Sequence, residues 1–272
     1  MAYGLLNGKR GIITGALDDK SIAWKVALKA KEEGATFTLS NAPIAMRMGA
    51  IRDLAEQCEA EIIPADATVV EDIENLYNKS MDALGGKIDF VLHSIGMSPN
   101  IRKGRPYHDL NYDWYMKSLD VSALSLHKML QTAQRMDAIN EWGSVVALTY
   151  LAAQRTVPFY TDMAEAKSML ESIARSYGYH YGKAKNVRVN TVSQSPTMTT
   201  AGSGIGGGFQ NFYDFTDKMS PLGNASAEDC ADYVITLFSD LTRKVTMQNL
   251  FHDGGYSMTA ISEEVMQMLQ QQ

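Results

Sequence analysis

Residues 10–34 read RGIITGALDDKSIAWKVALKAKEEG, and two hydrophobic periods follow one another inside that stretch. The run RGIITGA, from Arg10 to Ala16, is apolar and breaks at Gly15, as a strand buried on both faces does. From Ser21 onward the period changes. Ile22, Ala23, Val26, Ala27 and Ala30 recur at helical spacing, with Ser21 as the expected N-cap and Gly34 as the stop. A strand, a short turn and a helix are the opening of a parallel α/β sheet.

The same alternation continues outward. ATFTLS (35–40) reads as a second strand, MRMGAIRDLAEQCEA (46–60) as a helix and EIIPADA (61–67) as a third strand. A helix is expected from about Glu71, a strand over IDFVLHSIG (88–96) and one long helix through 112–136. GSVVALTY (143–150) is the next strand, then a helix across 160–182 and the strand VRVNTVS (187–193). The fold class is therefore α/β: a single doubly wound Rossmann-type domain over residues 1–272, its parallel sheet covered by helices on both faces. GSGIGGG (202–208) is too short to join two domains and marks instead a loop at about 197–220, expected to close over substrate.

Bulk composition removes several function classes. The net charge of −6 argues against a nucleic-acid partner and against adsorption to anionic lipid. No apolar run approaches the ~18 residues of a membrane span, and MAYGLLNGKRGIITGA lacks the layout of a signal peptide. Cys58 and Cys230 make neither a disulfide framework nor a metal cluster, which places the chain in a reducing cytoplasm. The five histidines are scattered and no metal motif includes them.

In such sheets ligands bind at the carboxyl ends of the strands. Gly15 ends the first strand, where a missing Cβ lets a diphosphate approach the backbone. Ser21 and Ile22 begin a helix whose N–H groups and dipole favour that anion. Asp66, after the expected third strand, is a short carboxylate suited to an adenine amino group. HSIG (93–96) ends the next strand with small residues, against which a ribose or flat ring can lie. The second strand ends in LSNAP without the carboxylate common in NAD sites, and Arg47 is the nearest cation, so NADH and NADPH both stay open on these residues.

YLAAQRTVPFYTDMAEAK (150–167) places Tyr160 and Lys167 seven residues apart, within about 20° of one helix face. A cation near a phenol favours phenolate and strengthens the phenol as a donor to a developing oxyanion. Together with TGALDDKSIA, HSIG, VRVN and DGG (253–255), the stretch resembles the short-chain dehydrogenase/reductase superfamily, and within it the bacterial NADH-dependent enoyl-[acyl-carrier-protein] reductases of type I. The similarity runs over nearly the whole chain. Ordinary superfamily members carry a serine thirteen residues before the tyrosine, where this chain has Ala147; the enoyl reductases carry a tyrosine ten before, here Tyr150.

That resemblance implies reduction of a trans-2-enoyl thioester on acyl carrier protein, with Tyr160 and Lys167 catalytic and Tyr150 in the acyl pocket. It implies NADH as cofactor, with contacts at Gly15, Ser21, Ile22, Asp66, Ala67, Ile95, Lys167, Thr197, Met198, Thr199, Thr200 and Ala201. Ser98 would border the acyl site beside Tyr150, with Met163 and Phe209 as apolar walls. It implies a homotetramer as well. Three departures stand out. Gln194 and Ser195 replace a small-residue and glycine pair, Ala42 replaces a glutamine, and GIGGGFQNF (204–212) lacks the cations that relatives carry toward the carrier protein. The competing readings are a short-chain alcohol or ketone dehydrogenase, disfavoured by Ala147, and a dinucleotide-sensing protein without catalysis, disfavoured by Tyr160 and Lys167.

Overall fold

In the computed structural model, residues 2–48, 50–200 and 209–270 are described. Six strands form one sheet: β1 (Arg10–Thr14), β2 (Thr36–Ser40), β3 (Ile88–His93), β4 (Ile139–Thr149), β5 (Arg188–Gln194) and β6 (Asn249–His252). Their order is β2-β1-β3-β4-β5-β6, every pairing parallel. The order reverses next to β1, so the crevice beside that strand's carboxyl end is where such a sheet takes ligands.

Neighbouring residues on each strand point to opposite faces, and the two faces use them separately. Ile13, Leu92 and Val146 pack with α1 (Ile22–Glu32), α2 (Ala50–Cys58) and a later helix over Ala227–Phe238. Ile12, Val91 and Val145 pack with α3 (Val70–Leu84), with the helix Ser125–Arg135 and with the helix Thr161–Lys185. All six sheet residues are buried. Burying each such aliphatic side chain contributes about 1.5–3 kcal/mol, which is why these strands read as unbroken apolar runs.

Three sequence expectations change. EIIPADA forms no regular strand: Leu39 exchanges backbone hydrogen bonds with Glu61 and Ile63, Ala65 N–H donates to the Asn41 carbonyl at 3.1 Å, and the pairing amounts to a single isolated bridge beside β2. The helix expected through 112–136 is broken into α5 (Tyr112–Leu119), a π turn (Asp120–Leu124) and α6 (Ser125–Arg135). The extra residue of that turn brings Ser122 Oγ to the backbone of Met97, accepting from its N–H at 3.0 Å. Strand β6, four half-exposed residues, is absent from the sequence reading, and β4 begins four residues earlier than expected. The remaining helices are α4 (Pro99–Arg102), α7 (Thr161–Lys185), α8 (Phe209–Met219), α9 (Ala227–Phe238) and α10 (Glu263–Gln270).

Candidate active site

A cleft of about 1120 Å³ opens at the carboxyl ends of the strands. Each wall comes from a strand end. The β1 turn gives Gly15, Ser21 and Ile22; the segment after Ile63 gives Asp66 and Ala67; the β3 turn gives Ile95 and Ser98; β4 and α7 give Tyr150, Tyr160, Met163 and Lys167. Thr197, Thr199 and Thr200 close the side beyond β5, and Phe209 and Phe212 of α8 lie across the mouth. Of the expected contacts within the described residues, Met198 alone is outside the lining, and it is 43% exposed. Ala201 and the glycines of 202–208 lie outside the described residues, as does that part of the expected substrate loop.

The first turn differs from its expected chemistry in two details. Gly15 has φ +89°, and a Cβ there would lie 1.9 Å from the Ser94 carbonyl oxygen. The glycine is thus required by the close passage of the β3 turn, whatever else approaches it. Ser21 sits at the N-cap position of α1, but its hydroxyl donates to the Asp18 carbonyl at 2.7 Å and accepts from Leu17 N–H. It closes the turn instead of capping the helix. Asp66 likewise has a structural duty: its Oδ1 accepts from the Thr68 N–H and hydroxyl.

Tyr160 immediately precedes α7, and Lys167 lies two turns along it. Both line the cleft with Tyr150, whose ring centroid is 5.0 Å from that of Tyr160 at an interplanar angle of 53°. The Lys167 ammonium donates to the Leu148 carbonyl at 2.7 Å, leaving two further N–H donors. Burial lowers its pKa to about 8, partly offset by Glu171. His93, beneath it on β3, is driven down to about 3 by burial and then by Lys167 itself, so this imidazole stays neutral. A neighbouring ammonium favours phenolate and strengthens the phenol as a donor, while enclosure acts on the protonation in the opposite direction. Tyr160 keeps some surface open to the cleft, yet enclosure by protein pushes its pKa above the ordinary value. It is a neutral phenol, able to donate. Tyr150 is raised too, by burial first and by neighbouring Tyr160, Tyr256 and Asp253 next.

Two observations test whether a nicotinamide dinucleotide suits this cleft. A Cβ built on Gly96 would lie 3.4 Å from Met163 Cε and 3.7 Å from Lys167 Nζ, so the glycine leaves a hollow beside the ammonium. The Tyr150 hydroxyl is buried without a hydrogen-bond partner among the described residues, a group that awaits an acceptor or donor from a guest. The first fits the group, a hollow of ribose size beside a hydrogen-bonding cation; the second leaves a polar group on the same cleft to be satisfied.

A profile described as enoyl-(acyl carrier protein) reductase matches residues 15–257. The chain belongs to the enoyl-(acyl carrier protein) reductase family. It is 33% identical over 265 residues to enoyl-[acyl-carrier-protein] reductase [NADH] 2 of Rhizobium meliloti, covering 95% of each chain. It is 35% identical over 263 residues to the NADH-dependent FabI of Rickettsia bellii, covering 95% of this chain and 97% of that one. A crystal structure of the FabI–NADH complex from Alistipes finegoldii superposes with a TM-score of 0.95 at 63% identity, covering 96% of this chain and 92% of that one.

Against the family pattern, the departures acquire physical roles. Gln194 donates to the carbonyls of Ala225 and Ser226, and its Oε1 is 2.8 Å from His252 Nδ1. Ser195 Oγ accepts from Ala225 N–H at 2.8 Å. The pair fastens the end of β5 to the segment before α9, and Thr200 reaches back to the Asp18 carboxylate across the cleft. Ala147 is fully buried in the sheet core opposite His93, and no serine replaces it beside Tyr160 on β4. Two residues escaped the sequence reading. Phe159, next to Tyr160, meets Phe212 edge-on at 4.9 Å. A phenylalanine in a loop carries no periodic signal, so nothing in the pattern marked it. Asp162 was missed because a carboxylate in a first helical turn reads as an ordinary dipole partner.

Proposed function

We propose that the protein reduces the trans-2 double bond of enoyl thioesters held on acyl carrier protein, the last step of bacterial fatty-acid elongation, with NADH as reductant. The observation that carries the reading is the Tyr150–Tyr160 pair, with rings 5.0 Å apart, in one cleft with Lys167. The family supports it throughout, since the Alistipes finegoldii relative is a complex with NADH.

Bound NADH supplies the hydride that adds to the β-carbon of the enoyl group. Charge then grows on the thioester oxygen, and Tyr160, kept as a neutral phenol, donates a hydrogen bond there. Lys167, steadied by Leu148, turns its remaining N–H donors toward the cofactor ribose in the hollow that Gly96 leaves. The Tyr150 hydroxyl gains its missing partner from the acyl thioester. Gly15, Ser21, Ile22, Asp66, Ala67, Ile95 and the segment 197–201 hold the dinucleotide. Ser98, Met163, Phe209 and Phe212 border the acyl chain. Among the described residues no His, Cys, Asp and Glu cluster could hold a metal ion, and no helix is long and apolar enough to cross a membrane. A cytoplasmic homotetramer completes the reading.

The test is to follow nicotinamide absorbance with crotonyl thioester and NADH, then NADPH. Turnover with NADH is expected. Oxidation of alcohols without enoyl turnover would instead identify a short-chain alcohol dehydrogenase, and cofactor binding without any turnover a sensor.

A further inference from the structure

Between Tyr160 and the regular part of α7 stands Thr161, a β-branched residue at φ +37°. Side chains of that shape avoid the left-handed region, so something must hold the turn. The next residue is Asp162. Its carboxylate is fully buried and makes no ion pair with any described cation. Four side chains satisfy it. Ser98 Oγ donates to Oδ1 at 2.7 Å and Thr161 Oγ1 at 3.0 Å; Ser118 Oγ donates to Oδ2 at 2.7 Å and Asn100 Nδ2 at 3.0 Å.

Those donors come from separate elements packed around the start of α7, and Ser98 among them lines the cleft. Ser98 is the N-cap of α4, accepting from Ile101 N–H at 3.1 Å. Asn100 also clasps the Asn111 backbone through both ends of its amide. Ser118 is on α5. A buried acceptor with four satisfied bonds is strongly fixed, whereas one left unpaired is strongly destabilising. The first helical turn adds a favourable dipole for negative charge. Asp162 thus pins the start of α7 to α4 and α5 at the point where the chain turns through Thr161.

We propose that Asp162 is the positioning residue for Tyr160: by clamping the left-handed turn at Thr161 it fixes the direction of the phenol in the cleft. Asp162 touches neither substrate nor cofactor in this role. It acts on the reaction only through the tyrosine and the Ser98 wall. The inference rests on the proposed enoyl reductase activity.

The experiment is a double-mutant cycle on turnover of crotonyl thioester, with NADH affinity measured alongside. Asp162→Ala is expected to lower kcat by roughly 10²-fold, the scale of a small misplacement of a reacting group. Asp162→Asn keeps an oxygen for Ser98 and Thr161 and is expected to lose less. NADH affinity stays at the parent value, because Lys167 keeps its own anchor on Leu148. Tyr160→Phe then costs little more in the Asp162→Ala background than Asp162→Ala alone, since the phenol has already lost its place. Additive losses, parent-level kcat in Asp162→Ala, or a parallel fall of NADH affinity would each overturn the proposal. Should Asp162→Ala fail to fold, the same cycle is run with Asp162→Asn and read by the same criteria. A parent protein without enoyl turnover would overturn the proposed function, a result separate from all of these.

Discussion

The Lys167 ammonium is tied to the carbonyl of Leu148, on the neighbouring strand, at 2.7 Å. This bond fixes how the lysine takes part. Its reach is set by β4 and α7 together, and its charge is held in a place where burial opposes it.

Stability should therefore depend on pH through this residue. Lys167 titrates at about 8 in the folded chain against an ordinary 10.5. Between those values the unfolded chain binds a proton that the folded chain does not, so stability rises with pH across the window; below about 8 the cost of burying the charge is present in full. The whole effect amounts to about 3 kcal/mol. Urea unfolding of the parent and Lys167→Met from about pH 7 to pH 10 checks it. The variant is expected to be the more stable at the low end, with the gap closing as pH rises. Tyr150 and Tyr160, held protonated by burial, oppose the trend only above about pH 10.

Tyr160→Phe removes a single donor without changing the ring. Turnover of an enoyl thioester is expected to fall roughly 10²–10³-fold, the usual effect of losing one oxyanion donor. NADH affinity and the melting temperature should stay near the parent. Steady-state kinetics beside a cofactor titration separates these quantities. Lys167→Met should show the converse, weaker NADH binding in the cofactor titration.

Gly15→Ala puts a methyl group on a left-handed backbone 1.9 Å from the Ser94 carbonyl oxygen. The backbone conformation alone costs about 1–3 kcal/mol, and the β3 turn must also move. A large loss of denaturant midpoint is expected, with bound NADH recovering little of it. An unchanged midpoint would mean that the β1 and β3 turns are much looser than their contacts imply.

Phe159→Ala opens the side of the cleft where that ring meets Phe212. Long-chain enoyl thioesters should lose more kcat/KM than crotonyl thioester, because they bury more surface there, about 0.8 kcal/mol for each methylene left in water. Equal losses across chain lengths would place the acyl group elsewhere.

Much of this molecule is visible in its sequence because burial leaves period-specific marks. The pairs Ile12–Ile13 and Val145–Val146 serve opposite faces of the sheet, so those strands are apolar throughout and easily recognised. The Tyr160–Lys167 spacing is legible as a motif although Tyr160 stands just before α7 and the left-handed Thr161 separates it from the regular helix. Failures occurred where a local rule met a competing one. At 61–67 the apolar pattern promised a strand, and the segment makes a single bridge to β2 beside Leu39. In 112–136 the pattern is helical throughout, and no residue type announces a π turn. The enclosure that raises the Tyr160 pKa is not legible in sequence spacing, which gives the neighbouring charge alone. Asp162 shows the same gap: its four donors lie at 98, 100, 118 and 161, and only the folded chain gathers them.

Gly96 adopts no left-handed conformation, and the nearest atoms to an added methyl group are at ordinary packing distance. A single base change to alanine would accordingly leave the core, the sheet and the melting behaviour intact while filling the hollow beside Lys167. Gly96→Ala is therefore expected to separate foldedness from catalysis. Lineages released from the need for this reaction could lose it there in one step and retain a sound scaffold, so a descendant's intact architecture would be a poor guide to whether it still turns over substrate.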